Sequence, residues 1–406
     1  MMSVWSFPLN FPFPDSSCNI GYTYIFGGRF LKILKWLNYV LAAAVLLTAA
    51  VFLFRPTIGP DPNTDITIRI NYAKAEFIGK PMLQSGRIYV PMYSLGECLS
   101  FFTWIDSSND TIRVLVPGQE AIMKVGETQV HTYGKTVELK GAPILHNGAL
   151  YVPLQLFSSV LHVPMSWESR TDTVDITYNT PFIFAKEKGA AFWFRKNTGE
   201  LYMSTGNKPF LLEHINMKTS DTSRLTASRL SNDSYMLQIE DDSVAGYVIY
   251  KAIIQHHKVA ISSLAQYKRS RNNLRSIDRV GDLWVMIDDS TLKLVASDGT
   301  VEASYQAQEI FGEKDTFTVV GAFDNYLLIT SRQNILYLFN RKTKELIALY
   351  NQLLTDKEKA SIDSAIANGL YHLGDGLYFD RKEGDALYFT RRIPGVNPTT
   401  YTYRLQ

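Results

Sequence analysis

The side chains that could hold a metal or shuttle a proton are sparse in this chain and poorly spaced for either task. His256 and His257 are adjacent within the run IIQHHKVAI. That run reads as a strand, where neighbouring side chains point to opposite faces, so the pair does not converge on one ion. The acidic pairs Asp241-Asp242 and Asp288-Asp289 each follow an apolar run and read as solvated turns. The sequence contains no G-x-S-x-G elbow, no H-E-x-x-H helix, no phosphate-cradling G-x-x-x-x-G-K loop and no D-x-D-x-D-G calcium loop. Two cysteines, Cys18 and Cys98, make neither a disulfide scaffold nor, by themselves, a thiolate zinc site. The sequence therefore assigns no catalytic residue, no metal ligand and no cofactor, and an enzyme is not expected.

One segment does carry a chemistry. Between Tyr267 and Arg279 lie Lys268, Arg269, Arg271, Arg275 and Arg279, against a single acid, Asp278. Clustered cations attract phosphate-rich surfaces, so these five are the candidate contact for an anionic wall polymer or lipid headgroups. A solvated loop is the plainer reading. The formal charge of the whole chain is only +2, which gives no basic field and excludes nucleic acid as a partner.

The elements that must position these groups begin with an address. Trp36–Phe54, WLNYVLAAAVLLTAAVFLF, is a run of 19 residues without a charge. As a helix it rises about 28 Å, one hydrocarbon core. Arg29, Lys32 and Lys35 precede it and Arg55 follows, a bias that places residues 1–35 in the cytoplasm as a short tail and the bulk outside. The alternative, a cleaved signal peptide, needs a small-residue site beyond a shorter apolar stretch. Thr48-Ala49-Ala50 instead lies inside the run. Residues 55–65 hold three prolines and read as a semi-stiff spacer. The tail and anchor carry three basic residues and one acidic, which leaves the exported part with 38 of each sign.

From residue 66 the chain repeats itself. GKPMLQSGRIYVPMYSLGECLSFFTW, from Gly79, is answered by GAPILHNGALYVPLQLFSSVLHVPMSW, from Gly141. At an offset of 62, Gly79/Gly141, Pro81/Pro143, Gly86/Gly148, Tyr89/Tyr151, Val90/Val152, Pro91/Pro153 and Leu99/Leu161 coincide, and Trp104 and Trp167 follow after a one-residue insertion. Each copy, about 66–116 and 121–178, reads as a tight turn at Ser85-Gly86 or Asn147-Gly148 between two short strands. A helix with proline as its first residue follows, and then the tryptophan and a closing strand, TIRVLV or TVDITY. Met92, Leu95 and Leu99, or Leu154, Phe157 and Leu161, form its sheet-facing stripe.

The segments Gly86-Arg87-Ile88-Tyr89-Val90-Pro91-Met92 and Gly148-Ala149-Leu150-Tyr151-Val152-Pro153-Leu154 resemble the N-terminal, stalk-like domain of copper amine oxidases, a module duplicated in many exported proteins of Gram-positive bacteria. Tyr93 and Gln155 stand where that family usually has an arginine. The resemblance implies an α+β stalk domain over 66–178 that binds no metal of its own. Oxidase activity is a separate matter, since it needs a His-x-His pair for Cu(II) and an Asn-Tyr-Asp/Glu cofactor site. The seven histidines (131, 146, 162, 214, 256, 257, 372) include no His-x-His, and Asn325-Tyr326 is followed by Leu327. No oxidase activity is expected.

From 182 to 406 the texture becomes aromatic strands with turns about every ten residues. Phe192–Tyr202, Leu336–Leu346 and Leu377–Tyr388 echo one another as aromatic strand, polar turn, second strand. Tyr247–Leu264 and Leu283–Tyr305, with a hairpin at Asp298-Gly299, supply further pairs, and Leu353–Ile366 reads as a helical insertion. Five such units suggest an all-β, five-bladed propeller, with a curled two-sheet sandwich as the alternative. The expected whole is a single-pass membrane protein, N-terminus cytoplasmic, presenting a propeller to a cell-wall polymer or another surface protein. A surface hydrolase or lyase with its site in the propeller channel is the rival, favoured if carboxylates or a tyrosine–arginine pair gather there.

Overall fold

The strands of the two sequence copies start 62 residues apart almost without exception, and that spacing organises the first part of the molecule. The computed structural model describes residues 65–406 apart from 107, 221, 244–245, 268–274, 289, 313–315, 371–373 and 406. The expected tail and anchor, the linker up to residue 64, and Lys268, Arg269 and Arg271 lie outside the described residues. Among the described residues no helix is long and apolar enough to cross a membrane. The chain divides into two compact units at Asn179/Thr180.

In the first unit, copy one supplies β1 (Thr67–Ile70), β2 (Ala73–Lys74), β3 (Met82–Gln84), β4 (Arg87–Pro91), α1 (Met92–Cys98), β5 (Phe102–Asp106) and β6 (Thr111–Val116). After β7 (Gln119–Lys124), copy two supplies β8 (Gln129–Thr132), β9 (Lys135–Glu138), β10 (Ile144–His146), β11 (Ala149–Pro153), a π-helical turn (Leu156–Val160), β12 (Met165–Glu168) and β13 (Thr173–Ile176). The copies interlock. Their Tyr-Val-Pro strands pair antiparallel, with Val90 opposite Val152, Pro91 opposite Tyr151 and Tyr89 opposite Pro153, giving the sheet β10-β11-β4-β3. A second sheet, β12-β13-β1-β2, joins the first strand of copy one to the last strand of copy two in parallel. There the aligned Arg69 and Asp175 form a two-pronged ion pair at 2.6 Å. The third sheet runs β5-β6-β7-β8-β9.

Two local expectations shift. Pro91 ends β4 and caps α1 with extended ψ of 114° rather than opening the helix, because its Tyr-Val-Pro strand is still paired with the other copy. In copy two the helix is a single π turn, so Leu156 and Phe157 take the buried positions and Leu154 is only half-buried. Met92, Leu95 and Leu99 are fully buried as expected, and Phe101 meets Phe157 edge-on at 6.2 Å.

Among the described residues the second unit contains five antiparallel sheets formed one after another along the chain. The first holds β14 (Phe182–Glu187), β15 (Ala190–Arg195), β16 (Glu200–Ser204) and β17 (Phe210–His214). The second has β18 (Arg224–Ser231), β19 (Ser234–Ser243), β20 (Gly246–Gln255) and β21 (Lys258–Tyr267), and the third β22 (Arg279–Val280), β23 (Leu283–Asp288), β24 (Thr291–Val295) and β25 (Val301–Gln306). After the short α2 (Ala307–Phe311), the fourth has β26 (Phe317–Phe323), β27 (Tyr326–Ser331), β28 (Leu336–Asn340) and β29 (Leu346–Ala348). Helices α3 (Leu349–Leu353) and α4 (Asp356–Ala367), the expected insertion, precede the last sheet of β30 (Leu377–Glu383), β31 (Ala386–Arg391) and β32 (Thr399–Arg404).

Apolar cores fill the spaces between successive sheets. Phe192 and Phe194 of the first pack with Leu237 and Ile239 of the second. Met236 and Ile253 of the second meet Trp284 and Met286 of the third. Val285 and Leu292 of the third join Phe317 and Phe339 of the fourth, and Leu328 and Leu338 of the fourth join Leu387 and Phe389 of the fifth. This serial face-to-face stacking of small meanders is propeller-like. The three echoing hairpins do not mark equivalent places within it. They are strands two and three of the first sheet, three and four of the fourth, and one and two of the fifth.

Candidate functional site

A β-strand sends alternate side chains to opposite faces, and the three long strands of the second sheet use this to build a polar cleft. On β19 and β20, Leu237, Ile239, Tyr250 and Ala252 face the first sheet's core. The intervening positions Gln238, Glu240, Tyr247, Ile249 and Lys251 face the other way. Pairing aligns them side by side: Gln238 lies opposite Lys251, which lies opposite Ser263, and Tyr247 lies opposite Tyr267. The segment 275–278 and the strand β23 complete a cavity of about 220 Å³ with Arg275, Ser276, Asp278, Val285 and Ile287.

Two ion pairs dominate its walls. Arg275 Nη1 donates to Glu240 Oε2 at 2.8 Å while its guanidinium lies 4.9 Å from the centre of the Tyr247 ring. Gln238 donates to the same carboxylate. Lys251 is buried, and its Nζ donates to Asp278 Oδ1 at 2.8 Å and to the Val285 carbonyl at 3.2 Å. Asp278 is largely exposed, so the pair joins a desolvated ammonium to a solvated carboxylate. Tyr247 and Tyr267 stack at 6.1 Å with planes 24° apart. Burial pushes the Tyr267 hydroxyl up to about 12, and burial together with the Glu240 carboxylate raises Tyr247 as well. Both are therefore neutral hydroxyls at physiological pH. The Tyr267 hydroxyl donates to the Phe317 carbonyl at 3.3 Å.

Of the five cations singled out in the sequence, Arg275 is placed in this cleft on Glu240, and Arg279 stacks 3.8 Å over Trp284. His256 and His257 are not strand residues. They are the two central residues of the β20–β21 hairpin, both with positive φ (46° and 63°). Asp241 is not a solvated turn: it lies in β19, is buried, and accepts bonds from the Ser220 amide and from the Ser220 and Ser223 hydroxyls at 2.6–2.7 Å. Asp288 ends β23 and pairs with Lys293 at 3.7 Å. Cys98 is half-buried at the end of α1. Among the described residues no group of three or more His, Cys, Asp or Glu could hold a metal.

Glu240, Lys251, Tyr247 and Tyr267 were not singled out by sequence reasoning. The signal was there for one of them: Lys251 is a charge in the middle of a ten-residue, largely apolar strand, where a charge needs a partner.

A duplicated, interlocked α+β module followed by serial β-meanders defines the class: a repeat module joined to a propeller-like domain. Residues 69–176 match the family model described as the copper amine oxidase N-terminal domain, and the first unit is a domain of that family. The match covers a little over a quarter of the chain, and no oxidase catalytic domain is indicated. A search of curated proteins returns no match. Among solved structures, similar chains include a protein of unknown function from Bacteroides caccae (10% identity, 68% of this chain and 83% of that one, TM-score 0.16). The Neurospora crassa Pan2 WD40 domain matches at 11% identity over 64% and 69%, with a TM-score of 0.20. The Myceliophteria thermophila Cps50 (Swd1) β-propeller domain matches at 11% over 61% and 85%, also at 0.20. Structural agreement this weak adds nothing to the fold derived above.

Proposed function

We propose that the chain is a binding protein, anchored in a membrane through Trp36–Phe54 with its N-terminus cytoplasmic, whose five sheets form the blades of a propeller that presents the Glu240–Arg275 cleft to a cell-envelope component. The observation that carries this reading is the state of the cleft's ionisable groups. Glu240 is tied to Arg275, Lys251 to Asp278, and both tyrosines are held neutral. A fixed set of paired donors and acceptors suits recognition.

Freed from the membrane in detergent, the full chain should be retained on isolated, membrane-free cell walls, and Glu240→Gln combined with Arg275→Met should release it. Equal retention of the variant sinks the cleft's role. Protease added to intact cells should remove the bulk of the chain, and protection there sinks the topology. The surface hydrolase or lyase reading is favoured by one specific feature, the Tyr247–Arg275 contact at 4.9 Å. It requires turnover of an envelope polymer that Tyr247→Phe abolishes.

A further inference from the structure

The cleft's charge balance bears on what it binds. Its walls hold two cations, Lys251 and Arg275, and two anions, Glu240 and Asp278, each already engaged with a partner of opposite sign. Among the described residues these four charges cancel, and an ionic ligand would have to displace one of the partners. Its hydrogen-bonding capacity is nonetheless large. Glu240 presents lone pairs beyond those used by Arg275 and Gln238, the guanidinium has five N–H groups, and the Ser263 and Tyr247 hydroxyls can both donate and accept. Donors and acceptors thus alternate within a few ångströms. A ligand group that meets such a wall without being charged is the hydroxyl, which also does both.

The remaining surface is apolar. Ile249, Val285 and Ile287 line the same cavity, which offers C–H contact to a ring with one apolar face. A volume of about 220 Å³ is roughly that of seven waters in the liquid, room for one ring. Resting on the binding reading above, we infer that the cleft takes a single neutral, polyhydroxylated ring: one monosaccharide unit, free or as the terminal residue of a glycan.

The test is saturation-transfer NMR on the full chain with millimolar glucose and N-acetylglucosamine as neutral probes. Glucuronate, glucosamine, glycine and inorganic phosphate serve as charged probes. Ser263→Phe fills the cavity from β21, and Arg275→Lys, at a half-exposed position, alters the wall with little demand on the core. The expected result is a signal from a neutral sugar that Ser263→Phe abolishes and Arg275→Lys weakens at least tenfold, with charged probes silent. If a charged probe binds instead and Ser263→Phe abolishes it, the ligand class is wrong while the cleft stands as a binding site. A sugar signal indifferent to both variants places binding elsewhere and overturns both readings. Silence from every probe overturns the saccharide assignment. A soluble tetrasaccharide separates the two sources: affinity per site equal to that of its monosaccharide fits a terminal ring, and binding of the tetrasaccharide alone overturns the one-ring size.

Discussion

The hydroxyl of Tyr89, in the first repeat, closes over Gly141 of the second, at the point a Cβ would occupy. The relationship is reciprocal, since the Tyr151 hydroxyl sits 2.7 Å from where Gly79 would carry its Cβ. Each copy's tyrosine therefore needs the other copy's glycine, and both tyrosines are buried with Met82 in one small cluster. Gly141→Ala should cost about 1–3 kcal/mol, because a buried ring has nowhere to retreat. In a Tyr89→Phe background that cost should fall by more than half, as the atom in the way is gone. Urea unfolding of the four members of this cycle checks it, and additive effects refute the contact.

Gly79→Ala should be worse than Gly141→Ala. Gly79 has φ of +89°, so alanine there meets both the Tyr151 hydroxyl and a backbone conformation that costs an L residue roughly 1–2 kcal/mol. Tyr151→Phe should consequently rescue Gly79→Ala only in part. Complete rescue would mean that the backbone conformation carries no penalty.

Lys251 and Asp278 make an asymmetric pair, and the two ways of breaking it should differ. Asp278→Ala leaves a buried ammonium with only the Val285 carbonyl, a loss expected to cost about 3 kcal/mol. Lys251→Met replaces the stem with similar volume and leaves Asp278 in water, so it should cost under about 1 kcal/mol. Thermal melts of the two variants decide this, and equal destabilisation would show that Lys251 is not desolvated in solution.

These contacts explain what was legible in the sequence and what was not. The repeat could be read because Gly79, Gly141, Tyr89 and Tyr151 each occur where the partner copy requires them, at one fixed offset. The aromatic hairpins could be read as strand pairs because their turns are local. Their place within a sheet could not, since hydrogen bonding to the next strand fixes it, and the echoing hairpins fall at three different places. The cleft was least legible. Arg275 was visible as a charge, but its partner Glu240 lies 35 residues earlier on a strand whose register against β20 no local pattern reveals. His256 and His257 misled for the same reason in reverse: the apolar alternation around them runs into the turn, so a hairpin tip read as one continuous strand.

The capping box of α4 offers a fourth test. The Thr355 hydroxyl and amide both contact the Glu358 carboxylate, at 2.7 and 2.9 Å, and Arg391 of β31 reaches the same carboxylate. Thr355→Ala should cost about 1 kcal/mol, the usual loss for an N-cap. Glu358→Ala should cost more, because it removes both the box and the tie from the inserted helix to the last sheet. Hydrogen exchange across 356–367 should quicken in both variants, and more in Glu358→Ala. The reverse order would show that Arg391 contributes nothing to docking the helix.

Asp375 sets the sharpest pH prediction. It is buried ahead of β30, where Oδ2 accepts the Leu336 amide at 2.7 Å and Oδ1 the Leu377 amide at 2.9 Å, so it joins the fourth sheet to the fifth. Burial pushes its carboxyl up to about 6, against the opposing pull of those two amides and of Arg391. The folded value lies above the unfolded one of 3.8, so the native state takes up a proton before the unfolded state does. Stability should therefore rise as pH falls through the window from about 6 to about 4, by on the order of 2–3 kcal/mol at most, and this contribution should be lost again as pH rises past 6. The carboxylates of Asp175 and Glu358 are held below their usual range by Arg69 and Thr355, and they withdraw stability only at still lower pH. The optimum should thus be mildly acidic. Asp375→Asn cannot titrate, so its unfolding midpoint in urea should stay flat across the window in which the parent rises. A parent profile that falls from neutral pH downward, or a variant that keeps the parent's rise, removes Asp375 as the group responsible.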